Sequence, residues 1–207
     1  ARCSGMAMAW MNSGGSAKIQ LRRMLATQVR EPLRVLEFFG GPGMMRRDAW
    51  FDAELHESID ADPNSAATYL GDAIRTARHL DLRRFNVFDC DPFANPWEAV
   101  WLVGRTPRPP GERIAFAVTD GSGGGHIQKA NTLSEYGWSR QIFDVLQMSP
   151  MDSPAPIRGQ ANFERLAIRL LTGLTGWELD WFATSWGGGP SGNKGGTFYG
   201  AAVLVTP

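Results

Sequence analysis

Cysteine is almost absent from this chain of 207 residues: Cys3 and Cys90 are the only two, far apart, and Cys90 lies in an apolar run. No disulfide framework can be built from them, so a reducing compartment is expected, taken here as the cytoplasm, with Cys90 a small core residue. Histidine is equally scarce, and His56, His79 and His126 are isolated from one another and from the cysteines. No metal-ligand spacing results, and each reads as a core or solvated residue. Excess charge of either sign is missing too, because 21 Lys and Arg balance 21 Asp and Glu. No overall field draws the chain to nucleic acid or to a membrane, and a polyanion would have to meet a local basic patch. Long apolar runs are also lacking: Ile114 to Val118 and Ala201 to Val205 fall far short of the roughly 18 residues that span a bilayer. Met6 to Met11 is too short for a signal-peptide core, and no membrane partner is expected. Ser122 and Ser185 have no His and acid in motif context, which disfavours a hydrolase.

What is present is a composition with 43% hydrophobic and 20% charged residues, enough for one folded α/β domain. Residues 1–32 read as an N-terminal extension in which Ala17 to Arg30 forms a basic helix, stopped by Glu31-Pro32. The domain then spans residues 33–207. Leu33 to Phe39 is a strand, followed by a glycine turn and a helix starting at Met44. Glu57 to Asp60 is a second strand, and Pro63 opens a helix-like Asn64 to Leu70. Ile74 to Leu82 is helical, Phe85 to Phe88 a strand, Trp97 to Val103 a short helix and Arg113 to Thr119 another strand. Phe163, Leu166, Ala167, Leu170, Leu171 and Leu174 recur at helical spacing. Leu179 to Ser185 and Thr197 to Val205 form an antiparallel hairpin at the sheet edge, joined by the Gly-rich loop Gly187 to Gly196. Strands alternating with helices imply a mostly parallel sheet whose ligand site lies at the carboxyl ends of the strands.

Two stretches at those ends carry chemistry. In Glu37-Phe38-Phe39-Gly40-Gly41-Pro42-Gly43 the glycines admit close approach of a ligand, and Glu37 can accept hydrogen bonds from a cationic or hydroxyl-bearing group. The spacing is not Gly-x-Gly-x-x-Gly, and Pro42 removes a donor, so a pyrophosphate cradle is disfavoured. A tight structural turn explains the glycines equally well. Asp60 can take the two hydroxyls of a ribose, whereas Asp62 before Pro63 reads as a helix cap. Asp72 could meet an adenine amine or cap the following helix.

The first stretch resembles the acidic, glycine-rich motif I of class I S-adenosylmethionine methyltransferases, particularly those acting on nucleic acids, with Gly40 in place of the usual alanine. The order of Asp60 and Asp72 matches the family's ribose and adenine contacts, and the final hairpin matches its antiparallel seventh strand. The resemblance implies a Rossmann-like class I methyltransferase fold with a mostly parallel seven-stranded sheet and a C-terminal antiparallel hairpin. It also implies S-adenosyl-L-methionine as cofactor, with Glu37, Phe38, Gly40, Gly41, Gly43, Asp60, Ala61, Asp72, Ala73 and Asp89 around it.

The second stretch, Asp89-Cys90-Asp91-Pro92-Phe93-Ala94-Asn95-Pro96, resembles the Asp-Pro-Pro-Tyr/Phe motif of amino-group methyltransferases. With Phe93 where that motif has proline, it is more similar to the Asp-Pro-Phe-Gly-Ser-Pro motif of the tRNA (guanine-N2) dimethyltransferases, and Ala117-Val118-Thr119-Asp120 stands where that family has Thr-Ala-Thr-Asp. Asp91, Pro92 and Phe93 are therefore the expected catalytic residues. The carboxylate and the Pro92 carbonyl would accept the hydrogens of an exocyclic amine, and Phe93 would stack on the base. An Asp-Pro turn with a buried Phe is the plain alternative. RNA, with tRNA guanine as one case, or DNA is the expected substrate. The family's RNA-binding segment and C-terminal domain have no recognisable counterpart here, so a partner chain could supply substrate-binding elements. A small-molecule or protein acceptor, or a non-catalytic binding subunit, are the alternatives. Lys18, Arg22 and Arg23 could contact phosphates or form a solvated helix face. Trp97 and Trp101, four residues apart, read as core packing.

Overall fold

The computed structural model describes residues 14–92, 96–120, 145, 160–187 and 197–207. Cys3, Phe93, Gly121 to Gly125, His126 and the loop beyond Gly187 lie outside them. The elements run α1 (Gly14–Gln28), β1 (Arg34–Phe38), α2 (Met44–Asp48), β2 (Leu55–Asp60), β3 (Tyr69–Leu70), α3 (Ala73–Ala77), β4 (Val87–Cys90), α4 (Trp97–Gly104), β5 (Arg113–Asp120), α5 (Gln160–Thr175), β6 (Glu178–Gly187) and β7 (Thr197–Val205). They build one seven-stranded sheet in the order β3-β2-β1-β4-β5-β7-β6. β1 to β5 pair in parallel, and β7 enters antiparallel between β5 and β6. No helix among the described residues is long and apolar enough to cross a membrane.

Strand register decides what each face carries, since residues opposite one another on neighbouring strands point to the same side. Val35, Val87, Ala115, Ala201 and Val203 share one face, and Leu21 and Leu25 of α1, Met45 of α2 and Trp50 just after it pack there. Leu36, Phe88, Phe116 and Leu204 share the other, covered by α3, α4 and α5. A row of rings, Phe38, Phe88 and Phe116, runs through that second layer with centroids 6.5 and 5.8 Å apart.

The basic helix departs from its expected place as part of an extension. Ala17, Leu21 and Leu25, four residues apart, are buried, and with them α1 covers β7 and β6 as a layer of the domain itself. The segment Asn64 to Leu70 is not a helix either. Asp62 accepts the backbone N–H of Asn64 at 2.9 Å, and Ala66 N–H goes to the Gly41 carbonyl at 3.2 Å. Thr68 and Ser58 exchange side-chain to backbone hydrogen bonds, which hold the chain extended so that Tyr69 and Leu70 join β2 as a short edge strand. These local bonds satisfy the backbone groups that a helix would otherwise use. The helix expected over Ile74 to Leu82 ends at Ala77 and is followed by a single 3-10 turn, Leu82–Arg84, capped by Asp81.

Candidate functional site

At the carboxyl ends of β2, β1, β4 and β5 lies a cavity of about 590 Å³. Its floor is the glycine turn after β1. Phe39 and Gly40 N–H groups both reach the Ile59 carbonyl, at 2.8 and 3.0 Å, which folds the turn down onto β2. A Cβ on Gly40 would lie 2.7 Å from the Ser58 Cβ, so the close approach of the two strands requires glycine there. Gly41 adopts φ +51° with open space beside it, and the Asp60 carboxylate accepts its N–H at 2.7 Å. The second Asp60 oxygen accepts the Asp62 N–H, also at 2.7 Å. Asp60 thus shapes the turn and still faces the cavity.

Three acids sit side by side on the α1 face of the sheet, and they differ in what surrounds them. Asp89, fully buried, is held by Arg22 through Nε and Nη2, both at 2.6 Å, and by the Trp50 indole N–H at 2.8 Å. Arg22, 1% exposed, also donates to Thr119 Oγ1 at 3.3 Å. Burial alone would lower the Arg22 pKa, but the Asp89 and Asp91 carboxylates outweigh it and keep the guanidinium charged. Asp91 lines the cavity, is paired with Lys18 of α1, and lies 3.9 Å from Arg22 Nη2. Glu37 is the third acid. It is 2% exposed, lines the cavity, and its Oε2 has no hydrogen-bond partner. His56 Nε2 is 3.2 Å from that oxygen, within ion-pair reach when the imidazole is protonated. Burial pushes the Glu37 carboxyl up to about 7, with His56 opposing the rise and the neighbouring Asp89 charge adding to it.

Of the residues expected at the site, the cavity brings together Glu37, Gly40, Gly41, Asp60, Ala61, Asp91 and Pro92. Others stand apart. Phe38 points into the opposite core layer. Gly43, at φ +75°, caps α2. Asp72 caps α3, accepting the Arg75 N–H at 2.8 Å, with Ala73 buried behind it. Asp89 lies inside β4 rather than after it, and its carboxylate is taken up by Arg22 and Trp50 instead of facing the cavity.

Several lining residues escaped the sequence reading: Lys18, Phe39, Met44, Met45, Thr197 and Tyr199. The signal for α1 was there. Lys18 and Arg22 are four apart and border the Ala17, Leu21, Leu25 stripe, which sets them at the edge of a buried face without showing which acids they meet. Tyr199 shares the face of Ala201 and Val203, and burial raises its hydroxyl pKa, helped by the Asp91 charge. His56, read as an isolated residue, turns out to be the neighbour of Glu37.

No protein-family model and no curated protein matches the sequence. Among solved structures the chain is similar to the plantazolicin methyltransferase BamL, determined in complex with a triazolic desmethylPZN analog and SAH. The two are 10% identical with a TM-score of 0.51, over 93% of this chain and 84% of that one. It is also similar to a protein from Streptococcus thermophilus described as a hemolysin, at 10% identity and a TM-score of 0.50, over 100% of this chain and 70% of that one. Such different names on one architecture mean that the likeness speaks for fold, not for activity. With the strand order and the antiparallel β7, it establishes that this chain has the Rossmann-like α/β fold of class I S-adenosylmethionine-dependent methyltransferases.

Proposed function

We propose that this chain is an S-adenosylmethionine-dependent methyltransferase acting on an exocyclic amine of a nucleic-acid base. The observation that carries the reading is Glu37, a buried carboxylate on the cavity whose Oε2 lacks a hydrogen-bond partner. An unsatisfied buried acid is costly unless a ligand completes it, and an ammonium is the group that does so best. The cofactor offers one. The rest of the cavity fits it as well: Gly40 and Gly41 leave the backbone bare, and Asp60 retains lone pairs for ribose hydroxyls beyond the two N–H groups it accepts.

When bound, S-adenosylmethionine supplies a methyl group on a cationic sulfur. The chain's own residues then have the task of holding an amine in line with it, at roughly 3 to 3.5 Å. Asp91 and the Pro92 carbonyl line the same cavity and would accept the amine hydrogens, turning the nitrogen lone pair toward the methyl group. Asp91 or solvent would take the proton that the amine gives up on transfer. Phe93, outside the described residues, is the proposed stacking platform for the base. The resemblance to the tRNA (guanine-N2) dimethyltransferases supports guanine as the acceptor.

One observation favours a second reading, an amine on a small molecule or protein. Of the three basic residues of α1 that could meet phosphates, Lys18 and Arg22 are paired with Asp91 and Asp89. That leaves Arg23, which donates to the Asp48 carbonyl and lies over the exposed Phe51 ring. Incubation with methyl-labelled cofactor and tRNA, total RNA, DNA, protein or a metabolite pool separates the readings. Label in RNA or DNA, lost in Asp91→Ala, supports the nucleic-acid acceptor. Label only in protein or metabolites overturns that part, and cofactor binding with no transfer to any of them leaves a non-catalytic subunit.

A further inference from the structure

The cavity is charged unevenly. Among its described lining residues Glu37, Asp60 and Asp91 are acids and Lys18 is the single cation. The methionine end of the proposed cofactor carries a carboxylate next to its ammonium. Beside Glu37 and Asp91 that carboxylate would meet like charge, and a cation within reach has to compensate it. We propose that Lys18 receives the cofactor carboxylate, and that it gives up Asp91 as it does so; this rests on the cofactor reading above.

The geometry of the two ion pairs supports an exchange at one of them and not at the other. Arg22 and Asp89 are 1% and 0% exposed and locked by paired hydrogen bonds. Lys18 and Asp91 are 19% and 11% exposed and both face the cavity, so an incoming anion can reach the lysine. A lysine is suited to the swap, being a point charge on a flexible stem rather than a fixed fork. Asp91 is not stranded when Lys18 leaves. Arg22 Nη2 stays 3.9 Å from its Oδ2, and the Asp91 charge remains compensated. The exchange frees Asp91 Oδ2, the oxygen that Lys18 holds, so Lys18 acts as a positioning residue that adds this oxygen to what Asp91 offers the acceptor amine once the cofactor is in place.

Two nucleoside ligands test this by binding alone. S-adenosylhomocysteine carries the carboxylate, and methylthioadenosine lacks the whole amino-acid group. Calorimetric titration of Lys18→Met should show the Kd for S-adenosylhomocysteine raised by about tenfold or more, the scale of a lost charge-assisted hydrogen bond. The Kd for methylthioadenosine should stay within about twofold, which also shows that the variant is folded. Lys18→Arg should restore most of the difference. Equal weakening of both ligands, or no weakening of either, would overturn the assignment while leaving the cofactor reading intact. Failure of the unaltered protein to bind either nucleoside would overturn the cofactor reading, and Lys18 with it.

Discussion

Glu37 and Asp89 are opposite one another on adjacent strands, on the same face of the sheet, both buried. Asp89 has a guanidinium and an indole N–H on its oxygens. Glu37 has an oxygen without a hydrogen bond, the His56 imidazole at 3.2 Å and a cavity. Two acids one strand apart thus differ in what they can do: the satisfied one ties α1 and Trp50 to the sheet, and the other is the one proposed above to take a cation from outside. A buried carboxylate indicates a ligand only when the protein has not already completed it.

The sharpest way to break this contrast is at Asp89. Arg22→Met would leave a fully buried charge without its main partner, and a stability loss of about 3 to 5 kcal/mol is expected in urea denaturation. A loss below about 1 kcal/mol would mean that Asp89 is not held as described. The same kind of change at Glu37 should act in the opposite direction. Because its carboxyl is raised from 4.5 to about 7, the folded state keeps a proton that the unfolded chain releases between those values. Stability from this group therefore falls as pH rises from about 4.5 to about 7, and the cost is fully present above that window. Glu37→Gln removes the cost, so at alkaline pH the variant should be more stable by on the order of 1 to 3 kcal/mol, yet bind S-adenosylhomocysteine at least about tenfold more weakly. A variant that loses both stability and affinity would place Glu37 in the structural class with Asp89.

A smaller effect follows from proton competition at the same group. Cofactor affinity should rise with pH up to about 7 and level off above it, as Glu37 ionises, and Glu37→Gln should flatten that profile. Calorimetry across that range reads it directly. Smaller again is the packing beneath the turn. Gly40→Ala sets a methyl 2.7 Å from the Ser58 Cβ and should lower stability by about 1 to 3 kcal/mol, with a weaker effect on nucleoside binding than at Glu37. Thermal unfolding in parallel with titration would show whether the turn bends or breaks.

Much of this molecule is legible in its sequence because its strong patterns are local. The apolar run before Gly40, the run Ile114 to Val118 and the helical spacing of Phe163 to Leu174 became β1, β5 and α5. The final hairpin was foreseen at the sheet edge, and β6 takes that edge with β7 inside it. The cavity acids Glu37, Asp60 and Asp91 were legible because they lie at or beside strand ends and within three residues of a glycine or proline. What could not be read depends on partners far away in the chain. Asp89, expected beside the cofactor, is instead taken up by Arg22, 67 residues away in the chain. Asn64 to Leu70 has a good helix start, but the Gly41 carbonyl and the edge of β2 take its backbone groups. Lys18 and Arg22 carry the signature of a solvated face, and only the sheet beneath α1 shows which acids they meet.

The most direct measurement is a calorimetric titration of the purified protein with S-adenosylmethionine and S-adenosylhomocysteine, with NAD as the control, at a pH where Glu37 is ionised. Micromolar binding of both sulfur nucleosides, absent for NAD and weakened at least about tenfold in Glu37→Gln, is the expected result. Binding that survives unchanged in Glu37→Gln, or no binding of either nucleoside, would contradict the claim that the unsatisfied acid at the end of β1 is there for the cofactor.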